Sequence, residues 1–152
     1  MTRDSSLQIR PFARADYPAA CRLWQGMPGI GLNESDSEEA VARFLERNPG
    51  ASFVAFEPSG ALVGAVLCGH DGRRGYLHHL AVDHAHRGRG LGRALVDHCF
   101  ARLAAEGIPR CNIFVYDENA EGTRFWLSTG WAEATWKTLQ KRVAPVTNRV
   151  TR

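Results

Sequence analysis

The chain has 152 residues, of which 44% are hydrophobic, and its 19 lysines and arginines exceed its 16 acidic residues to give a net charge of +3. This length fits one compact domain, so we expect a single domain over residues 1–152, with a folded core at about 7–141 and a frayed tail at 144–152. The small positive charge does not favour a nucleic-acid-binding module, and no apolar stretch approaches the roughly 20 residues of a membrane span, so we expect neither nucleic acid nor membrane as a partner.

Predicted strands and helices mix along the first half of the chain, as judged from hydrophobic periodicity and turn residues. They are a strand at 7–12, a helix at 13–24, a glycine-proline loop "GMPGIG" at 26–31, a helix opened by a capping box of Ser35 and Glu38, and two strands within 52–69 joined at Pro58-Ser59-Gly60.

The second half of the sequence also alternates strands and helices. Its pattern predicts a strand at 76–82, a helix from about Gly90 to Ala105, a strand at 110–116, a helix at 119–130 ended by Gly130, and a closing strand at 132–143. Strands mixed with crossover helices favour an α/β or α+β fold in which helices cover the faces of one sheet.

The stretch "HRGRGLGRAL", residues 86–95, places glycines and arginines between a predicted strand and a predicted helix. The first N–H groups of a helix have no intrahelical partner and lie at the positive end of its dipole, which suits phosphate. Arg87, Arg89 and Arg93 add donors for phosphate oxygens. The spacing fits neither a P-loop nor the G-x-G-x-x-G of a dinucleotide fold, and an ordinary glycine-rich turn with solvated arginines stays the alternative. We call residues 86–92 the phosphate turn.

A family resemblance becomes specific at this turn. Residues 80–98, "LAVDHAHRGRGLGRALVDH", resemble the acetyl-CoA motif of the GNAT superfamily of N-acetyltransferases, whose core Arg/Gln-x-x-Gly-x-Gly/Ala is matched here by 87–92. Residues 119–131, "NAEGTRFWLSTGW", resemble the family's second motif, and the order of segments is similar from Leu7 to Lys141. The stretch "GHDGRRGYL" is similar to a YpeA-like bacterial branch.

The resemblance implies the fold and the cofactor site. The fold would be one mixed, mostly antiparallel sheet of six to seven strands flanked by about four helices, with the thioester of acetyl-CoA lying in a splay between the fourth and fifth strands. The implied cofactor-binding residues are Leu80, Ala81 and Val82 along the pantetheine arm, Arg87, Gly88, Arg89, Gly90, Leu91, Gly92 and Arg93 at the pyrophosphate, and Asn119, Phe125 and Trp126 further along.

Acetyl transfer to an alkylammonium requires a base, because the pKa of a lysine-type amine is about 10.4. Strand alternation would place Tyr76, His78 and Leu80 on one face. The opposite face would carry Leu77, His79 and Ala81. The family often places its base, or a base-bound water, at the positions of Tyr76 and His78, so we expect His78 to act directly or through water. The alternative is that His78 is a polar strand residue lining a cleft.

The proton donor departs from the family pattern. Many GNAT proteins carry a tyrosine where this chain has Trp126, and an indole N–H is not a practical acid. Three options stay open, which are another group such as Tyr116, water, or a slow or inactive enzyme. The inactive case corresponds to a non-catalytic acyl-CoA-binding sensor, our alternative function.

The acceptor is the least constrained element. GNAT proteins commonly build their acceptor wall near the "GMPGIG" loop, which implies substrate contacts from Trp24, Met27, Ile30 and Tyr116, although core packing explains Trp24 equally well. A small amine, an amino acid, an antibiotic and a protein amino terminus all stay open. The sequence also leaves the oligomeric state open, with a homodimer among the options.

Cysteines and histidines show no spacing of a metal site, so we expect no metal. The four cysteines are far apart without a C-x-x-C pair, and the polar start "MTRDSS" lacks the apolar core of a signal peptide. Both observations favour a cytoplasmic location.

Overall fold

The structure is a computed structural model that describes residues 6–145, in which five strands and four α-helices form. The strands are β1 (Gln8–Pro11), β2 (Phe53–Phe56), β3 (Leu62–His70), β4 (Gly75–Val82) and β5 (Cys111–Ile113). The α-helices are α1 (Tyr17–Gln25), α2 (Glu38–Arg47), α3 (Leu91–Ala105) and α4 (Ala120–Ser128). Most of the predicted frayed tail, residues 146–152, lies outside the described residues.

The strands form one sheet in the order β1-β2-β3-β4-β5. The first four are antiparallel neighbours, whereas β5 pairs with β4 in parallel. This last pairing covers only the three residue pairs from Gly75–Cys111 to Leu77–Ile113, while β4 runs on to Val82. The two strands therefore separate beyond Leu77, and a cleft opens between them.

The expectation of six to seven strands is wrong for the described residues, because no strand forms at 132–143. β5 is also shorter than the predicted strand at 110–116, so it offers little edge for another strand to pair with. Trp136 and Leu139 lie three residues apart, which would place them on opposite faces of a strand. Both are exposed instead, at 60% and 92%.

Helices cover both faces of the sheet, as expected from the mixed pattern. On one face, α3 packs Leu95 and Cys99 against Val66 and Leu77. On the other face, α1 packs Trp24 against a second set of buried residues that includes Val54. No helix within residues 6–145 is both long and apolar enough to cross a membrane.

Local capping fixes where the helices begin. α2 begins after Ser37, whose hydroxyl accepts a hydrogen bond from the Ala40 N–H at 3.2 Å. The predicted capping box at Ser35 is therefore wrong, because Ser35 lies in a short 3₁₀ turn, Glu34–Asp36, that precedes the helix. A serine cap satisfies one orphan N–H of the first turn, and Ser37 is itself buried.

Candidate active site

The cleft at the divergence of β4 and β5 gathers most of the predicted site residues. Its walls come from the loop between α1 and α2, the end of β4, the phosphate turn and α4. We call residues 26–33 of that first wall the acceptor loop. All predicted cofactor-binding residues from Leu80 to Arg93, together with Asn119, Phe125 and Trp126, line this cleft.

The phosphate turn has an open backbone. Gly88 and Gly90 both adopt positive φ, at 76° and 79°, which is the left-handed region that favours glycine. No atom lies within 4 Å of where a Cβ would stand at either residue, and Gly90 is the N-cap of α3. The first N–H groups of a 15-residue helix thus begin at an unobstructed surface, as an anion site requires.

Arg87 ties the phosphate turn to its surroundings. Its Nε donates to the carbonyl of Val82 at 3.1 Å, which anchors the turn to the end of β4. One Nη contacts the sulfur of Met27 at 3.1 Å, and the other lies 3.9 Å from the Glu121 carboxylate. The phosphate turn, the acceptor loop and α4 therefore meet around one guanidinium group.

The second motif surrounds the start of α4. Asn119 is the N-cap of α4, and its Oδ1 accepts a hydrogen bond from the Gly122 N–H at 2.9 Å. Its amide nitrogen faces Gly29 of the acceptor loop so closely that a Cβ at Gly29 would lie 2.5 Å from it. One end of the Asn119 side chain thus holds the helix, and the other lies beside the acceptor loop.

The two aromatic residues of α4 have different surroundings. Phe125 lies against Gly92, with its ring 3.4 Å from where a Cβ would stand. Trp126 is 8% exposed and packs edge to face on Phe125 and Trp131, with ring centroids 5.0 Å apart in each case. Trp126 belongs to the core under α3 while it also reaches the cleft.

His78 and Tyr76 share one face of β4, as the alternation predicts. The Tyr76 ring stacks on Phe114 at 6.1 Å, and the His78 ring lies 6.4 Å from the same Phe114 ring and 5.9 Å from Phe44 of α2. Burial lowers the pKa of His78 below its ordinary value of 6.5, and the neighbouring His79 lowers it further. The Asp36 carboxylate opposes both effects. His78 is therefore neutral at pH 7 and able to accept a proton.

The predicted alternation fails beyond His78, because β4 contains a bulge. Ala65 pairs with Ala81 and Leu67 with His78, so two residues of β4 oppose one residue of β3. Leu80 consequently packs on the α3 side of the sheet, away from the face that it was expected to share with His78. The rings of His78 and His79 instead come within 6.4 Å of each other.

The bulge creates a contact that the sequence reasoning missed. Nε2 of His79 lies 2.7 Å from Oδ1 of Asp36, which belongs to the 3₁₀ turn before α2. The contact could not be foreseen for two reasons. Adjacent histidines in a strand were expected to point to opposite faces, and Asp36 and His79 are 43 residues apart in the chain. The acidic cluster at 34–39 was the available signal, but nothing in it indicates a partner in β4.

The predicted acceptor residues divide into two groups. Met27, Ile30 and Tyr116 line the cleft, and the Tyr116 hydroxyl lies directly against Gly31 of the acceptor loop. Trp24 does not line the cleft, since it is fully buried and its Nε1 donates to the carbonyl of His79 at 2.8 Å. Trp24 supports the strand beneath the site. The described residues contain no group of three or more side chains that could hold a metal ion.

Comparisons with known proteins identify the family. Residues 14–131 match the family model described as the acetyltransferase (GNAT) family. A curated relative, Acetyltransferase YE1169 of Yersinia enterocolitica, is 36% identical over 113 residues, which cover 74% of this chain and 79% of the relative.

Solved structures of low sequence identity share the fold. The PaiA N-acetyltransferase of Thermoplasma acidophilum, solved in complex with coenzyme A, has a TM-score of 0.74 at 17% identity, covering 87% of this chain and 93% of that one. A chain of the NatC complex, solved with Gag peptide and CoA, has a TM-score of 0.71 at 18% identity, covering 85% and 86%.

Proposed function

Since the chain belongs to the GNAT family of acetyltransferases and is therefore an acyltransferase, we propose that it moves an acetyl group from acetyl-CoA to a primary amine. The amine belongs to a small molecule or to a protein amino terminus, and it attacks the thioester directly while both substrates are bound. One observation carries the proposal: an unobstructed phosphate turn and a neutral, half-buried His78 open onto the same cleft.

Acetyl-CoA binds along the cleft. Its pyrophosphate accepts hydrogen bonds from backbone N–H groups of the phosphate turn, with Arg87, Arg89 and Arg93 adding positive charge. Its pantetheine arm follows β4 at residues 80–82, where no strand of the described chain covers the edge that β5 has left. Asn119 donates to the arm from its amide nitrogen, because its Oδ1 already caps α4.

His78 takes the proton of the acceptor ammonium, directly or through a water molecule. Its lowered pKa leaves the imidazole unprotonated at neutral pH. Tyr76 lies on the same face and helps to shape this part of the cleft. The neutral amine then forms its bond to the thioester carbon. The nitrogen, which now carries a positive charge, loses a second proton to water to become the amide nitrogen.

The remaining steps involve the carbonyl oxygen and the sulfur. A backbone N–H near Val82 stabilises the negative charge that develops on the oxygen. The carbon–sulfur bond breaks, and the leaving thiolate takes a proton from Tyr116 or water, since Trp126 has no ionisable proton. A thiol with a pKa of about 8.5 is a tolerable leaving group, so turnover does not require a dedicated acid.

The alternative function is a non-catalytic acyl-CoA sensor. The observation that favours it is Trp126, an indole at the position where many members of the family carry a tyrosine. Such a protein would bind acetyl-CoA through the same phosphate turn. It would release no thiol with any amine.

A panel of amines tests the proposal. The panel contains small amines, amino acids, aminoglycosides and peptides with free amino termini, and release of free thiol from acetyl-CoA is followed together with the mass of each product. We expect stoichiometric thiol release and an acetylated amine for at least one class. Tight acetyl-CoA binding without any amine-dependent thiol release would instead establish the sensor.

A further inference from the structure

Asp36 and His79 form a buried pair that the proposed mechanism does not use. The carboxylate is 9% exposed and the imidazole 17%, and they lie 2.7 Å apart. The other carboxylate oxygen of Asp36 accepts a hydrogen bond from the Asn33 N–H at 3.0 Å, and the Tyr17 hydroxyl donates to its backbone carbonyl at 2.5 Å. The carboxylate is therefore held at a fixed place beside the histidine.

His79 is held in an unfavourable backbone conformation. Its φ is 56°, and it is the only non-glycine residue in the described part of the chain with a positive φ. Such a conformation is strained for an L-residue and persists where surrounding contacts impose it. Trp24 supplies two of those contacts, through its hydrogen bond to the His79 carbonyl and through a ring contact at 5.1 Å. The strain lies at a residue that lines the cleft.

The pair lies next to His78. The two histidine rings are 6.4 Å apart, a separation that one bridging water can span. From α2 and from the segment after β5, the side chains against His78 are the aromatic rings of Phe44 and Phe114.

The charged groups around His78 are few. Those that act on its pKa are His79 of its own strand and Asp36 of the 3₁₀ turn. Glu34 and Arg43 line the same cleft from that turn and from α2. Among the residues that the structure describes, no carboxylate contacts His78, whereas Asp36 contacts His79.

We propose that Asp36 and His79 receive the proton that His78 takes from the acceptor amine, a role that rests on the proposed acetyl transfer. The proton leaves the ammonium nitrogen for His78 and passes through one water molecule to Nδ1 of His79, so that His78 becomes neutral again. Asp36 accepts the Nε2–H hydrogen bond of His79, which leaves Nδ1 as the nitrogen able to take a second proton. The positive charge then rests beside a carboxylate. Asp36 and His79 are positioning residues, because they act through His78.

Two variants test the pair. Asp36→Asn removes the negative charge but keeps an oxygen for the His79 hydrogen bond, and His79→Gln removes the ionisable ring but keeps an amide donor for Asp36. We expect kcat for an identified amine to fall by about tenfold or more in each variant. The KM for acetyl-CoA should stay within about twofold, because neither residue contacts the phosphate turn.

The pH profile tests whether the charges of the pair act on His78. In His79→Gln a charge that lowers the pKa of His78 is gone, so the acidic limb of kcat/KM should move to higher pH. In Asp36→Asn the charge that raises the pKa of His78 is gone, so the acidic limb should move to lower pH. Because these charges act on His78 through space, the limb moves whether or not the pair receives the proton. The fall in kcat, and its absence when His78 is already replaced, separates proton transfer from a purely electrostatic role.

The chain offers a matched control. His70 and Glu106 form another histidine–carboxylate pair, 2.9 Å apart, at the far end of β3 and outside the residues that line the cleft. His70→Gln should leave kcat and the acidic limb unchanged. Circular dichroism melts of all variants establish that each is folded under assay conditions.

A double variant gives the second test. Because His79 acts through His78, His78→Gln combined with His79→Gln should be no slower than His78→Gln alone, within about threefold. In an enzyme that otherwise turns over, rate losses that multiply in the double variant would overturn the role of the pair. Acidic limbs that do not move in opposite directions in Asp36→Asn and His79→Gln would overturn it as well. A wild-type chain that acetylates no amine in the panel would overturn the proposed function itself, and the role of the pair with it.

Discussion

Replacing Gly90 by valine tests the phosphate turn most sharply. Gly90 has a φ of 79° and open space around the position of a Cβ, so valine meets no clash and acts in two other ways. The left-handed conformation costs an L-residue about 1–2 kcal/mol of folding free energy. The branched side chain also stands at the surface where the pyrophosphate approaches the backbone N–H groups. We expect the acetyl-CoA affinity to fall by at least about tenfold, which corresponds to about 1.4 kcal/mol.

Gly107 provides the control for backbone strain. It follows the other end of α3 with a φ of 77°, and it also has open space around the position of a Cβ. Gly107→Val should therefore destabilise the fold about as much as Gly90→Val in urea unfolding, while calorimetry shows its acetyl-CoA affinity unchanged. Equal affinity losses in both variants, or none in a folded Gly90→Val protein, would refute the assignment of the phosphate turn.

Three further variants probe the base, the missing acid and the fold. His78→Gln should lower kcat/KM for an identified amine by about 100-fold, while calorimetry shows acetyl-CoA binding nearly intact. The acidic limb of the wild-type pH–rate profile should be absent from this variant, and a limb that persists unchanged would place the base elsewhere. Trp126→Phe removes an indole donor without removing an ionisation, so the basic limb of the pH–rate profile should persist; its disappearance would mean that Trp126 controls the acid after all. Asp16→Asn should lower the free energy of unfolding by about 1–2 kcal/mol at pH 7. Burial acts to raise the pKa of Asp16, but hydrogen bonds from Arg10 and from the Ala13 N–H outweigh burial and hold the pKa below 3.8. That stabilisation exists above pH 3.8 and is lost as the pH falls through the pKa of Asp16 in the folded protein. Urea unfolding should therefore show the unfolding free energies of wild type and variant converging in acid. A difference that does not depend on pH would contradict the ion pair of Asp16 with Arg10.

The phosphate turn could be predicted because its signals are local. Glycines at 88 and 90 permit positive φ, and the apolar run that follows predicts a helix from about Gly90. The structure begins this helix at Leu91, with Gly90 as its N-cap. Asn119 likewise lies at the predicted start of α4. Each of these features depends on residues within one or two turns of each other, where the sequence pattern is most informative.

The bulge in β4 could not be predicted, because it depends on pairing with β3. Only the register shows that His79 and Leu80 together oppose Val66, and the extra residue reverses the face of Leu80. The Asp36–His79 contact follows from that bulge and joins positions 43 residues apart. Alternation alone assigned His79 to the wrong surroundings.

The predicted strand at 132–143 is wrong for a different reason. A run of apolar and polar residues predicts a strand, but a strand needs an edge to pair with. β5 offers three residues, and Trp136 and Leu139 are exposed instead of buried against it. The count of strands was therefore wrong although the class of fold was correct.

The most direct test of the central claim is the dependence of acetylated product on acetyl-CoA concentration, followed by mass spectrometry for the wild type and Gly90→Val with one identified amine. We expect the wild type to form acetylated amine and free thiol in equal amounts. Gly90→Val should be at least about tenfold slower at low acetyl-CoA and should recover as the acetyl-CoA concentration rises, because the variant weakens binding. Absence of acetylated product from the wild type, or the same acetyl-CoA dependence in both proteins, would contradict the account.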